Sequence, residues 1–130
     1  MKIIILMSMI FLHIVDDFYL QGILAKMKQK SWWEENTSNE LYKNDYIIAL
    51  TEHAFSWTFM MMLPITAVMI FGNGMLSIHW AIWLYAFICN VIIHAIIDNL
   101  KANIQCINLI TDQMIHLAQI ISTWVYLCIL

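Results

Sequence analysis

The stretch IIILMSMIFLHIVDDFYLQGIL, residues 3–24, decides how this chain folds. It begins with the apolar run Ile3–Leu12 and then places His13, Asp16 and Asp17 within the same helical length. About 20 mostly apolar residues are enough for a helix to cross the core of a bilayer. Residues 3–24 therefore predict a membrane-spanning helix that carries ionisable groups near one end.

The composition of the whole chain points to the same class of protein. Of 130 residues, 62% are hydrophobic and 12% are charged, whereas a soluble domain has about 45–50% apolar and about 25% charged residues. This excludes a soluble globular domain and also a disordered chain. A net charge of -3 without any arginine argues against nucleic-acid binding. Cys89, Cys106 and Cys128 lack the C-x-x-C spacing of a zinc site.

Three further apolar runs predict an all-α, four-helix transmembrane bundle that forms a single integral membrane domain over residues 1–130. The four runs cover 3–24, 46–71, 78–100 and 109–130, with a polar connection at 25–45. A cleaved signal peptide is the alternative for the first run. It is disfavoured because no A-x-A-like cleavage site is present and acidic residues interrupt the end of the run.

The lysines predict the orientation of the helices. The first and third connections hold five of them, and the second connection holds none; the five are Lys26, Lys28, Lys30, Lys43 and Lys101. Because positively charged loops stay on the cytoplasmic side, we expect a multi-pass protein of the cytoplasmic (inner) membrane. Both termini would lie outside the cytoplasm.

Ionisable residues within the runs are predicted to fall at one depth. In an antiparallel bundle, the ends of the first and third helices meet the starts of the second and fourth. Three pairs with i, i+4 spacing share a helix face there: His13 with Asp17, His94 with Asp98, and Asp112 with His116. His53 lies at the same level. The sequence thus predicts a buried His/Asp layer near the cytoplasmic face, and such intramembrane groups usually mark a functional site.

Three interpretations of this layer stay open. It could bind one or two transition-metal ions (zinc, or iron or manganese), conduct protons or ions, or join the helices by hydrogen bonds. The ligands or their orienting partners would be His13, Asp17, His53, His94, Asp98, Asp112 and His116.

Three further residues have two interpretations each. Glu52 either accepts a proton from metal-activated water or is solvated at the start of its helix. Lys101 either holds a phosphate or carboxylate of a substrate, or pairs with Asp98 or extends to the interface. Asp16 lies about 100° around the helix from Asp17, so it either orients a ligand or faces a neighbouring helix.

Several segments resemble a known family. HIVDDFYLQ (residues 13–21) resembles the H-x-x-x-D-F-x-L-Q signature of small bacterial and phage membrane proteins called the domain of unknown function 3307 family. HAIIDNLK (94–101) and DQMIH (112–116) resemble its H-x-x-x-D-x-x-K and D-Q-x-x-H segments, and His53 occupies the place of its second-helix histidine. The resemblance implies a polytopic helical protein with these signature positions. It implies no settled activity, although the pattern is also similar to that of membrane-bound metal-dependent hydrolases.

The sequence therefore predicts a metal-binding membrane protein, with a metal-dependent hydrolase acting on a lipid or lipid-linked substrate as the sharpest hypothesis. Glu52 and Lys101 would be its catalytic residues. The alternatives are a non-enzymatic protein that regulates a host or phage membrane complex, and a small ion or metal transporter. The expected partners are membrane lipid and a homo-oligomer or larger membrane complex, without nucleic acid.

Overall fold

The chain is helical and contains no strands. The structure, a computed structural model, describes all 130 residues. Its helices are α1 (Lys2–Val15), α2 (Leu24–Met27), α3 (Lys30–Asn36), α4 (Asp45–Phe71), α5 (Trp80–Asn99) and α6 (Leu109–Cys128). Two π-helical turns, Asp16–Leu20 and Leu100–Ile104, extend α1 and α5, and the 3-10 turn Glu40–Tyr42 precedes α4. The prediction of an all-α fold is confirmed.

The four long helices pack side by side into a bundle. α1 contacts α4 and α6, and α5 contacts the same two helices from the other side. A tight turn joins α4 to α5, in which Asn73 and Gly74 adopt positive φ angles of 48° and 81°. Glycine adopts such angles without the steric cost that a side chain brings. One half of the bundle interior is apolar and is centred on the fully buried Trp57 and Met61.

The surface of the bundle is apolar, whereas its interior carries polar groups. On α6, Asp112 and His116 are buried, but Ile110, Met114 and Ile121 are exposed. The other long helices also expose many large apolar side chains. Soluble monomers seldom expose continuous apolar patches of more than a few hundred Å². This distribution suggests that the protein associates with a membrane.

Three helical segments are long and apolar enough to cross a membrane. They are Lys2–Leu20, Glu40–Phe71 and Trp80–Ile104, whose most apolar windows have mean hydropathies of 2.0, 1.8 and 2.0. α6 has 20 residues but is not among them. Its first turns carry Asp112, Gln113 and His116, which lower its hydropathy.

The connection between α1 and α4 folds back over one end of the bundle. Lys28, just after α2, is buried and donates a hydrogen bond from Nζ to Asp98 Oδ2 at the end of α5, at 2.5 Å. The side chain of Asn103 accepts from the Lys30 amide at 2.7 Å and donates to the Lys28 carbonyl at 3.1 Å. These contacts hold the connection against the π-helical turn that follows α5.

Candidate metal centre

The structure brings the seven predicted ligand residues into one buried cluster. The end of α1, with its π-helical turn, supplies His13 and Asp17, and α4 supplies His53. α5 and α6 supply the other two i, i+4 pairs, His94 with Asp98 and Asp112 with His116. No side chain of the seven is more than 7% exposed. Such burial is exceptional for carboxylates and demands partners of opposite charge.

Two overlapping groups in the cluster could hold a metal ion. They are Asp17, His53 and His94, and His94, Asp98 and His116, with the ligand atoms of each group within 4.8 Å of one another. In the first group, His53 Nε2 lies 3.2 Å from His94 Nε2 and 3.4 Å from Asp17 Oδ1. A tetrahedral ion with ligands at about 2.0–2.1 Å separates those ligands by about 3.3 Å. The first group therefore has nearly the spacing that zinc requires.

The two groups share His94 and are bridged by Asp98. The same nitrogen of His94, Nε2, faces His53 at 3.2 Å and Asp98 Oδ1 at 3.8 Å. Asp98 Oδ1 also lies 3.4 Å from His116 Nε2, and its Oδ2 lies 3.4 Å from His53 Nε2. Because one imidazole nitrogen binds one ion, His94 can serve only one of the two groups at a time.

Both π-helical turns occur at this cluster. In the first turn the amide of Gln21 donates to the carbonyl of Asp16 at 3.2 Å, five residues earlier. The second turn, Leu100–Ile104, begins two residues after Asp98. Single π-helical turns within α-helices are frequent at functional sites. Their position at the ends of α1 and α5 agrees with a specialised role for this layer.

Asp16 faces α4 and supports His53. Its Oδ1 accepts a hydrogen bond from Ser56 Oγ at 2.6 Å, and its Oδ2 lies 3.6 Å from His53 Nδ1. Asp16 is buried, and Oδ2 has no hydrogen-bond partner. The carboxylate thus stands behind the histidine, on the ring edge opposite the nitrogen that faces Asp17 and His94. The hydrogen bond from Ser56 shows that Asp16 faces the neighbouring helix α4, and its Oδ2 lies near His53 without forming a hydrogen bond.

A hydrogen bond from Trp57 determines which ring nitrogen of His13 carries the proton. Its indole nitrogen donates to His13 Nδ1 at 2.7 Å, and its ring stacks on His94 with centroids 4.2 Å apart. An indole N–H can only donate, so Nδ1 of His13 must be the acceptor, and in a neutral ring the proton is on Nε2. Neither nitrogen of His13 then offers a free lone pair to a metal ion. Nothing in the sequence around Trp57 indicates this contact, since the residue lies on an apolar helix face.

Two lysines pair with two of the buried carboxylates. Lys28 Nζ contacts Asp98 Oδ2, and Lys101 Nζ contacts Asp112 Oδ2, both at 2.5 Å. Lys101 therefore pairs with Asp112 and not with Asp98. Lys28 is a buried member of the cluster, whereas its place in the sequence predicts only a charged residue of the first connection.

Two of the four buried carboxylates in the cluster have no lysine partner. Asp16, Asp17, Asp98 and Asp112 face two ammonium groups, so the cluster has a net charge of -2 in the state with all four carboxylates ionised and all histidines neutral. Asp16 and Asp17 are the two carboxylates without a lysine partner. Buried charge without a partner is costly. A divalent cation beside Asp17 would remove this imbalance, so the donor set fits a metal ion.

Two other polar residues of the helices lie outside the cluster. Glu52 is exposed and forms no hydrogen bond or ion pair, because it points about 100° away from the neighbouring His53. His79 precedes α5 and accepts a hydrogen bond from the Ala81 amide at 3.2 Å. The structure does not bring Glu52 together with the predicted ligands.

Comparison with protein-family models, with curated proteins and with solved structures finds no match for this chain. A function for the centre must therefore be argued from its own chemistry.

Proposed function

We propose that this chain is an integral membrane metalloprotein, a hydrolase that acts on a lipid or lipid-linked substrate, and a member of the domain of unknown function 3307 family. One observation carries the proposal: a buried cluster of four carboxylates and four histidines has lysine partners for only two of the carboxylates, and a third carboxylate belongs to a group with metal-ligand spacing. Helix-joining hydrogen bonds alone do not require such an excess of negative charge.

The ion belongs with Asp17, His53 and His94. Lys28 and Lys101 already neutralise the carboxylates of Asp98 and Asp112, so the uncompensated charge lies at the end of α1. Asp16 Oδ2 lies 3.6 Å behind His53 Nδ1, and a hydrogen bond formed there on metal binding would fix the ring and raise the basicity of the ligand.

A set of three protein ligands is typical of catalytic zinc sites, which keep a further position open for water or substrate. Such an ion polarises a carbonyl or phosphoryl oxygen and lowers the pKa of water. The cluster provides its own proton acceptor in His116. His116 Nε2 has no hydrogen-bond partner and lies between Asp112 Oδ1, at 3.3 Å, and Asp98 Oδ1, at 3.4 Å. A neutral His116 can accept a proton at Nε2, and the two carboxylates would stabilise the imidazolium that forms. We therefore assign the proton-accepting role to His116 rather than to Glu52.

The membrane arrangement that we propose has four spans. α6 buries its polar residues against α1 and α5 and exposes isoleucine and methionine, so it can cross the bilayer as the fourth helix. The five connection lysines favour a cytoplasmic location for the end that carries the cluster. The metal centre would then lie near the lipid headgroups of the inner leaflet, which favours a lipid or lipid-linked substrate.

Metal analysis of the detergent-purified protein tests the core of the proposal. We expect one zinc, iron or manganese ion per chain, lost in His94→Ala and Asp17→Asn but retained in His79→Ala, which removes an exposed histidine. Hydrolysis of phospholipids in liposomes, followed by mass spectrometry of the products, tests the activity. A folded protein without stoichiometric metal, whose stability does not increase on metal addition, would refute the proposal.

A second candidate is a helix-joining role within a non-enzymatic regulator of a membrane complex. The Lys28–Asp98 and Lys101–Asp112 pairs favour it, because they compensate buried charge without any metal. Under this reading His94→Ala destabilises the fold, which a thermal unfolding measurement detects. Under the hydrolase reading the same variant stays folded and loses metal and activity.

A further inference from the structure

A polar cavity opens beside the metal centre. It has a volume of about 460 Å³ and lies between the end of α1, the connection around α2, the π-helical turn after α5 and the start of α6. Asp17, a ligand in the first group, is part of its wall, so the cavity reaches the proposed ion. It therefore gives a substrate access to a centre whose other residues are buried.

The cavity wall consists mainly of hydrogen-bond donors. Lys28 and Lys101 both line it, together with four glutamine side chains, and Asp17 is its only carboxylate. Each lysine makes one ion pair at 2.5 Å. Since an ammonium group has three donors, two N–H groups of each lysine remain for a ligand. The amide groups of Gln21, Gln29 and Gln113 already donate within the protein, so the two ammonium groups are the main donors left for a ligand, and they fit an anion.

The rim of the cavity is apolar. Phe18 and Leu109 line it and are 57% and 55% exposed. Both lie at helix ends, where a bilayer-spanning bundle reaches the headgroup level. An anion that enters here can therefore remain attached to an apolar chain that lies along the outside of the bundle.

We propose that this cavity binds a phosphate ester that carries one negative charge, with Lys28 and Lys101 as the cationic donors. The inference rests on the proposed function, because its count of charges assumes a bound divalent ion. With ionised carboxylates and neutral histidines, a divalent ion makes the cluster neutral, and a monoester dianion would bring the net charge back to -2. A phosphodiester adds only one negative charge. The same group occurs in membrane phospholipids and in soluble phosphodiesters.

Binding to the full-length protein in a phosphate-free detergent tests the assignment. The ligands are dioctanoyl phosphatidylglycerol, dioctanoylglycerol, which lacks the phosphate, and glycerophosphoglycerol, which lacks the chains. Calorimetry measures affinity with and without added zinc. We expect the phosphatidylglycerol to bind at least tenfold more tightly than dioctanoylglycerol, by about 1.4 kcal/mol or more. Equal binding of glycerophosphoglycerol identifies a soluble diester as the ligand, and weaker binding identifies the lipid.

Two variants distinguish a specific role of the cavity lysines from a general effect of removing positive charge. Lys101→Met with Asp112→Asn removes a whole ion pair and leaves both candidate metal groups intact. We expect it to weaken phosphatidylglycerol binding at least tenfold. Lys26→Met removes an exposed lysine of α2 that does not line the cavity, and we expect unchanged binding.

Two results would overturn the inference: equal affinity for the phosphate-containing and phosphate-free lipids, or equal loss of binding in both variants. A ³¹P chemical-shift titration of the wild-type protein needs no variant, and the absence of a saturable shift would also overturn it. If the protein binds metal and hydrolyses lipid, but binds lipid equally well without the cavity lysines, only this inference is contradicted. Lysine-dependent binding in a chain that takes up no metal contradicts the proposed function alone.

Discussion

Removing one partner of the buried Lys28–Asp98 pair should be one of the most destabilising single changes in this fold. The ammonium and the carboxylate are 2.5 Å apart, and their side chains are 7% and 2% exposed. At an effective dielectric constant of about 20, their attraction is about 7 kcal/mol before the cost of desolvation is subtracted. Removing one partner of a buried pair leaves an uncompensated charge and costs about 3–5 kcal/mol. We therefore expect Lys28→Met to lower the free energy of unfolding by that amount.

The exposed pair Lys43–Glu40 provides a matched control. Its atoms are 2.9 Å apart, but its side chains are 59% and 85% exposed. Because water screens such a pair, we expect Lys43→Met to change the free energy of unfolding by less than about 1 kcal/mol.

A double-mutant cycle completes the test. Lys28→Met with Asp98→Asn removes both charges, so the double variant should be more stable than the sum of the two single changes predicts. The measurement is equilibrium unfolding in mixed detergent micelles with a chelator present, which excludes a contribution from metal. If Lys28→Met were no more destabilising than Lys43→Met, the connection would not be docked on the bundle as the structure shows.

Three further predictions concern the surroundings of the centre. Asp16→Asn should weaken metal binding about 10–100-fold, because the support behind His53 is lost; a chelator competition titration measures it, and unchanged affinity contradicts the orienting role. Trp57→Phe should lower the free energy of unfolding by at least about 1 kcal/mol, because the His13 hydrogen bond is lost; equal midpoints of denaturation would refute the contact. Glu52→Gln should change the free energy of unfolding by less than about 0.5 kcal/mol and leave metal content and any hydrolytic rate unaltered. A large loss of rate would show that Glu52, and not His116, accepts the proton.

Much of the centre can be inferred from spacing along the chain. His94 with Asp98 and Asp112 with His116 are i, i+4 pairs in otherwise apolar helices, and antiparallel packing alone brings them to one level. The apolar runs likewise indicate the three segments that are able to cross a membrane, since length and hydropathy are local properties. The all-helical class follows from the same runs.

Contacts between distant segments could not be inferred in this way. Lys28 is 70 residues from Asp98, and Trp57 is 44 residues from His13, and no periodicity reports such distances. The sequence also does not show that Glu52 is exposed while His53 is buried. A helix rotates by about 100° per residue, and only packing decides which of two neighbours faces inward. Local sequence thus specifies that the layer exists and at what level of the bundle it lies, because the helix period is fixed. The pairing of charges, and therefore which carboxylates lack a lysine partner, depends on how the helices and the connection meet in space.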